Sequence, residues 1–236
     1  MTDARGIAAL AGVLADESRA AMCLAMLDGA SWTLTELADV AHISLATASE
    51  HVSKLVAAGI CSEERAGRNR YARLVGPEVA HALETFRSLA GTPAELDSTP
   101  RAVAARRRLA LARTCYDHLA GRLGVVVMDA LQGRGIVDPT RGLALTSRGE
   151  RWFEDLDIDI AGLRSQRRVF VRECVDWTER RPHLAGALGA ALCESFIERE
   201  WVRRPDRTRL LELTAPGQRA LSELLLIKPA DLVLVR

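Results

Sequence analysis

Aromatic residues make up only 4% of this 236-residue chain, although hydrophobic residues reach 48%. The apolar content is therefore mostly Ala, Leu and Val, and the unbranched members of that set lose little freedom in a helix. A mainly α protein with small β-hairpin wings is expected. Charge excess is also missing: 32 Lys and Arg face 31 Asp and Glu, a net charge of +1. Residues 1–90 hold eight basic and eleven acidic residues, or −3. Such a balance excludes a broadly basic nucleic-acid coat and leaves only local clusters. These are Arg65, Arg68, Arg70 and Arg73, then Arg106, Arg107 and Arg108, then Arg164, Arg167, Arg168 and Arg172.

The five cysteines, Cys23, Cys61, Cys115, Cys174 and Cys193, form no CxxC pair and no even framework. A chain long enough to bury its own core needs no disulfide staples, so a reducing compartment is expected. The opening MTDARGIAALAG has neither the basic start nor the apolar centre of a signal peptide. No apolar run approaches the ~18 residues that cross a bilayer. A cytoplasmic location is the expectation. A nucleophile elbow, a phosphate loop, a dinucleotide-binding turn and an HExxH pair are all missing, so no catalytic residue and no enzyme activity are expected.

Apolar positions at helical spacing run through residues 4–28, broken at Asp16, which can cap a second helix. Residues 33–41 read as a short helix capped by Thr33 or Thr35. Residues 42–44 form a turn in which Ser44 caps the next helix, and Gly59 ends that helix as a left-handed glycine would. Residues 60–75 alternate as a β-hairpin with its turn at residues 66–69. A helix opens at Gly76-Pro77 and runs through Phe86. Gly and Pro then follow in quick succession. The organisation expected is a domain over 1–90, a linker over 91–100 and a second domain over 101–236.

Helix 33–41, the turn at 42–44 and helix 44–58 have the lengths and joint of a helix-turn-helix, with Leu37, Val40, Ile43, Val52 and Leu55 placed to pack the pair. The hairpin that follows supplies a wing. In such an arrangement the second helix enters the major groove, roughly 12 Å wide, by its N-terminal end. Ser44, Leu45, Ala46, Thr47 and Ser49 give that end little bulk, which is clearance for duplex DNA. Their hydroxyls suit phosphates or base edges, and Lys54 suits backbone phosphate. Arg68, Asn69 and Arg70 at the hairpin tip suit an adjacent groove or its phosphates. Glu50 is repelled by DNA unless it accepts from a cytosine amine.

These residues carry a resemblance. LADESR at 14–19 leading into MCLAML at 22–27, LTELAD at 34–39, SLATASEHVSKLVAAGI at 44–60 and RAGRNRYARL at 65–74 make residues 7–88 similar to the ArsR-type (arsenical-repressor-like) winged-helix regulators. The resemblance covers about a third of the chain. It implies a homodimer built from the first and last helices of the domain, binding a palindromic operator in double-stranded DNA and repressing until an inducer arrives. Departures matter too. Metal-sensing members often carry a cysteine pair in the helix that here reads LTELADV, and no sulfur stands there. Glu78, His81 and Glu84 on the last helix supply a single histidine and read as surface residues.

The second half contains an internal repeat, at about 115–160 and 180–226. HLAGRLGVVVMDALQGRGIV from His118, closing with RGLALTSRGER, matches HLAGALGAALCESFIEREWV from His183, closing with RLLELTAPGQR. Each copy reads as helix, small hairpin, helix, so a C-terminal helical domain of two winged-helix-like repeats is expected. Thr146 and Thr214 stand at N-cap positions, and Ser147 with Glu150 offers a capping box. Lacking a partner helix and clustered hydroxyls, the repeats do not read as DNA binders and are the natural place to receive a signal. Cys115-x-x-His118 would put thiol and imidazole on one helical face, and Cys174 with His183 would add a second pair if the halves meet. Buried cysteines used as small hydrophobes are the plainer alternative. Trp152, Phe153, Trp177, Phe196 and Trp201 serve either a small-molecule pocket between the repeats or the core. The function expected is a repressor responding to a ligand, metal or thiol signal. The alternative is an enzyme or protein-docking module that uses the winged helix as an adaptor.

Overall fold

The computed structural model describes residues 2–90, 99–140, 142–205 and 208–233. Residues 91–98, most of the expected linker, and Arg141, with which the closing segment of the first expected repeat begins, lie outside the described residues. The chain forms two compact units, Met1–Arg107 and Arg108–Arg236.

The first unit contains α1 (Thr2–Leu14), α2 (Glu17–Ala25), β1 (Trp32–Thr33), α3 (Leu34–Ala41), α4 (Leu45–Ala57), β2 (Cys61–Ala66), β3 (Asn69–Leu74) and α5 (Pro77–Leu89), after which α6 (Pro100–Leu111) begins. Local chemistry sets the joints. The Asp16 carboxylate accepts from Arg19 N at 2.9 Å and starts α2. Thr33, rather than Thr35, caps α3 in a capping box with Glu36. His42 takes a left-handed φ of 53° to turn the chain from α3 into α4. Ser44 Oγ then accepts from Thr47 N at 3.1 Å. At the far end Gly59 has φ of 71°. Gly59 N donates to Val56 O and Ile60 N to Leu55 O, a Schellman ending that needs a residue free of Cβ strain.

Leu37, Val40, Val52 and Leu55 are buried between α3 and α4, with Ile43 half-buried beside them. Met22, Met26, Leu27 and Trp32 complete this core. The strands form an antiparallel sheet in the order β1-β3-β2, and Ala66 pairs with Asn69 across a two-residue turn at Gly67-Arg68. On α5, Ala80, Leu83 and Glu84 form the buried stripe. Glu84 is therefore not a surface residue as its sequence context suggests, because its i+4 spacing from Ala80 puts it on the inward side.

The second unit contains β4 (Arg113–Thr114), β5 (Leu119–Ala120), α7 (Gly121–Gly133), β6 (Val137–Asp138), β7 (Ala144–Leu145), α8 (Ser147–Glu154), α9 (Ile160–Ser165), β8 (Arg172–Val175), β9 (Pro182–Ala185), α10 (Gly186–Glu198), β10 (Val202–Arg203), β11 (Glu212–Leu213) and α11 (Ala215–Leu225). Its strands pair as four antiparallel two-stranded ribbons, β4-β5, β6-β7, β8-β9 and β10-β11. Helix dominates the molecule, at about 57% of residues, as the scarcity of aromatics and abundance of Ala and Leu require. No helix among the described residues is long and apolar enough to cross a membrane.

Equivalent details recur in the two halves of this unit. Thr146 caps α8 and Thr214 caps α11, each hydroxyl also donating back to a carbonyl, Gly135 O at 2.7 Å and Glu200 O at 2.6 Å. The Ser147–Glu150 capping box does not form. Thr146 occupies the cap, its third following residue is Gly149, and Glu150 instead accepts from Arg164. These aromatic rings pack in the core: Phe153 and Phe196 are fully buried, with the partly buried Trp152 and Trp201 set edge-on against them. A groove lined by residues such as Asp157, Gln166 and Glu194 contains none of these rings. Trp177 lies under the Arg113 guanidinium.

Candidate functional site

The first constellation is the exposed side of α4 with its wing. Ser44, Leu45, Ala46, Glu50, Ser53 and Lys54 are exposed, and Thr47 and Ser49 half-buried, while Ala48, His51, Val52 and Leu55 face the core. This division follows from 3.6-residue periodicity: positions 45, 46, 49, 50, 53 and 54 lie on one side of the helix. Ser53, with no signal beyond that spacing, belongs with them. Ser44 and Thr47 hydroxyls meet at 2.8 Å at the helix start. The buried His51 ring lies 3.3 Å from Arg19 of α2, which fixes the back of α4.

The wing is tied to this face. Arg70 Nη1 donates to Ser49 Oγ at 2.6 Å, while its remaining nitrogens engage the Glu63 carboxylate, Nη2 to Oε2 at 2.7 Å. Hydrogen bonding by Arg70 holds the Glu63 carboxyl below its ordinary range, and Glu63 in turn raises Arg70. Arg70 is thus an anchor, half-buried in the wing, whereas Arg68 and Asn69 at the tip are exposed. Glu63 was not foreseen, because its pairing depends on cross-strand register. The result is a slim face with small hydroxyls and methyls, flanked by one exposed arginine tip and Lys54. Its lone carboxylate, Glu50, can only accept, which suits a cytosine amine.

The second constellation lies in the second unit. Cys115 and His118 are not on a helix. They bracket the tight turn between β4 and β5, with Cys115 N donating to His118 O at 3.0 Å. An i, i+3 spacing fits a hairpin turn as well as a helical face, and the strands on either side decide for the hairpin. Cys174 and His183 are cross-strand partners on β8 and β9. The four side chains converge, with one ligand-type atom from each lying within 4.8 Å of the others. Cys115 Sγ and Cys174 Sγ are 3.9 Å apart, and His118 Nε2 and His183 Nε2 are 3.1 Å apart.

Behind each imidazole stands a carboxylate held by an arginine. His118 Nδ1 is 3.2 Å from Asp117, which Arg168 grips with both terminal nitrogens. His183 Nδ1 is 3.5 Å from Asp176 Oδ2, within ion-pair reach but beyond a good hydrogen bond. Asp176 also accepts from Arg113 Nη2 at 2.9 Å and Gly121 N at 2.7 Å, with Arg113 and Asp176 both wholly buried. Burial opposes the Asp176 carboxylate, yet the Arg113 charge and the Thr178 hydroxyl outweigh it and hold its pKa at about 2. The same contest around Asp117, settled by His118 and Arg168, leaves it well below the ordinary range. Burial lowers His118, but hydrogen bonds with Asp117 and Cys115 leave its pKa raised. Sequence reasoning missed Asp117, Asp176, Arg113 and Arg168; the available signal was a carboxylate next to, or two residues from, a thiol or imidazole. The remaining cysteines are core residues. Cys23 is raised by its hydrogen bond to Cys61 and by burial, and burial pushes Cys193 up to about 12.

Comparisons with known proteins bear on the first constellation. Residues 14–61, which include α3, the turn and α4, match the family model described as a helix-turn-helix domain. Among solved structures, HlyU from Vibrio cholerae is 21% identical with a TM-score of 0.35, covering 39% of this chain and 98% of that one. A fragment 1–100 of a possible transcriptional regulatory protein from Mycobacterium bovis is 23% identical with a TM-score of 0.35, covering 39% of this chain and 97% of that one. The similarity to the uncharacterized HTH-type transcriptional regulator YdfF of Bacillus subtilis extends much further, at 37% identity over 223 residues, 94% of this chain and 98% of the relative. With both units included in that match, the chain belongs to the HTH-type transcriptional regulators and carries a helix-turn-helix DNA-binding domain.

Proposed function

We propose that the chain is a homodimeric, sequence-specific transcriptional repressor of the ArsR type, released from a palindromic operator by a signal received in its second unit. One observation carries this reading: α4 offers a low-bulk exposed face, and the Arg70–Ser49 bond fastens an arginine-tipped wing beside it. Ser44, Leu45, Ala46, Thr47, Ser49 and Glu50 face the major groove. Lys54, Arg68 and Asn69 hold phosphates or an adjacent groove, and Arg70 positions the wing. Dimerisation through α1 and α5 is supported by apolar side chains left in water, Ile7 at 69% and Leu10 at 47% exposure on α1, and Phe86 at 58% and Leu89 at 79% on α5.

The division into a DNA-binding domain at 1–90, a linker at 91–100 and a sensor at 101–236 belongs to the same proposal. So does the reading of the second unit as two winged-helix-like repeats, which the paired Thr146 and Thr214 caps support. No catalytic role is assigned to any residue. The purified full chain, used to select from fragmented genomic DNA of its host, is expected to enrich fragments sharing an inverted repeat. Arg68→Ala, which removes one contact from each protomer of the proposed dimer, is expected to lower affinity for them by roughly 100-fold or more, the scale of two charge-assisted contacts of about 1.5–3 kcal/mol each. Failure to enrich any fragment contradicts the proposal.

A further inference from the structure

We propose that Cys115, His118, Cys174 and His183 form a four-ligand site for a single tetrahedral divalent ion of the zinc class, which fastens the β4-β5 hairpin to the β8-β9 hairpin. This deepens the signal-reception reading above by naming the ligand of the second unit, but it stands on geometry that does not involve DNA.

Two thiols and two imidazoles form a donor set suited to zinc, with thiolates supplying the softness and charge that oxygen ligands lack. Around an ion with Zn–S of about 2.3 Å and Zn–N of about 2.0–2.1 Å, tetrahedral edges are ~3.8 Å between sulfurs and ~3.3 Å between nitrogens. The corresponding separations here are 3.9 Å and 3.1 Å. The His118 and His183 Nε2 atoms face one another, leaving each Nδ1 on the side of its own carboxylate. Asp117 thus stands where a metal-bound histidine places its outward N–H partner, Asp176 lies 3.5 Å from the corresponding Nδ1 of His183, and an arginine fixes each carboxylate. His118 and His183 are wholly buried, Cys115 nearly so and Cys174 half-buried, and four protein ligands fill the tetrahedral positions, which suits a structural or regulatory ion rather than a catalytic one.

The backbone is shaped to allow this meeting. A Cβ at Gly124 would lie 2.5 Å from Leu119 O and 3.5 Å from His183 Cβ, and one at Gly189 would lie 2.5 Å from Leu184 O and 3.4 Å from His118 Cβ. Each repeat's helix therefore presses against its own strand and leaves room for the other repeat's imidazole. Ion binding displaces the thiol protons of Cys115 and Cys174 to solvent, and the two thiolates neutralise the 2+ charge.

The test is metal analysis of the full chain by native mass spectrometry, followed by titration of the stripped protein with Co²⁺ as a visible stand-in for zinc. One zinc per chain is expected. The Co²⁺ form should show tetrahedral d–d bands and thiolate-to-metal charge transfer, both displaced by one equivalent of Zn²⁺. Cys115→Ser combined with Cys174→Ser should abolish stoichiometric binding, whereas Cys193→Ala should leave it intact. Since the double variant could fail to fold, the charge-transfer intensity of the unaltered chain independently reports two thiolates. The site is refuted by any of three results: no stoichiometric Co²⁺ or Zn²⁺ binding by the stripped chain, a spectrum lacking thiolate character, or a Cys115–Cys174 disulfide in protein purified under reducing conditions. Arg68→Ala should retain the metal. A chain that holds zinc but selects no DNA would leave this site standing while removing the repressor reading.

Discussion

Single residues in the second unit carry constraints that a sequence shows only as letters. At Gly217 a Cβ would meet Trp201 O at 2.0 Å, and at Gly149 one would meet Ile136 O at 2.1 Å. Both obstacles are backbone carbonyls just before a ribbon strand, each held by a cross-hairpin bond, from Thr214 N at 3.0 Å and Thr146 N at 3.1 Å, so neither swings aside. Gly133, at the end of α7, has nothing within 4 Å. Gly217→Ala is expected to destabilise the protein by about 1–3 kcal/mol through overpacking, and Gly133→Ala to leave it unchanged or stabilise it by up to ~1 kcal/mol. Urea unfolding of the full chain distinguishes the two. Asp176→Ala should cost more, about 3–5 kcal/mol, because it leaves the Arg113 guanidinium buried without its carboxylate. A loss below 1 kcal/mol in the same measurement would mean that Arg113 finds another partner.

Elements differ in how fully their sequence announces them. The caps at Asp16, Ser44, Thr146 and Thr214 were legible because each acts on a donor three residues ahead, Thr33 only as one of two candidates with Thr35, and Gly59 because an αL ending is a one-residue requirement. The Cys115-x-x-His118 turn was misread as helix because i, i+3 spacing serves both. The pairing of Cys174 with His183 rests on strand register across nine residues, which no local pattern encodes. The role of Arg70 was half legible. Its place in the wing was evident, but its engagement by Glu63 and Ser49 was not. Arg68→Ala and Lys54→Ala, each removing one phosphate contact per protomer and so two per proposed dimer, should each reduce the slope of log affinity against log salt by about 1.8. Arg70→Ala should weaken binding by loosening the wing while changing that slope less. Fluorescence anisotropy across a salt series separates these outcomes, and equal slope changes for Arg68 and Arg70 would assign both to phosphates.

At the scale of the molecule, few aromatics and abundant Ala and Leu point to the helical class, and the like-spaced His, Gly and Thr positions of the second unit are visible in the sequence. The four metal-type ligands are legible as two Cys/His pairs, but their meeting is not, since it needs two hairpins well separated in the chain, β4-β5 and β8-β9, to pack together. Assembly is testable here as well. Phe86→Glu with Leu89→Glu places charge on the exposed apolar end of α5 and should turn the proposed dimer into a monomer in sedimentation. An unchanged sedimentation coefficient would remove α5 from the interface. The central claim is that the exposed face of α4 reads bases in the major groove. It is met most directly by repeating the DNA selection with Glu50→Ala and comparing base preferences with those of the unaltered chain. A changed preference at symmetry-related positions of the inverted repeat is the result predicted, and an identical preference in both selections would contradict it.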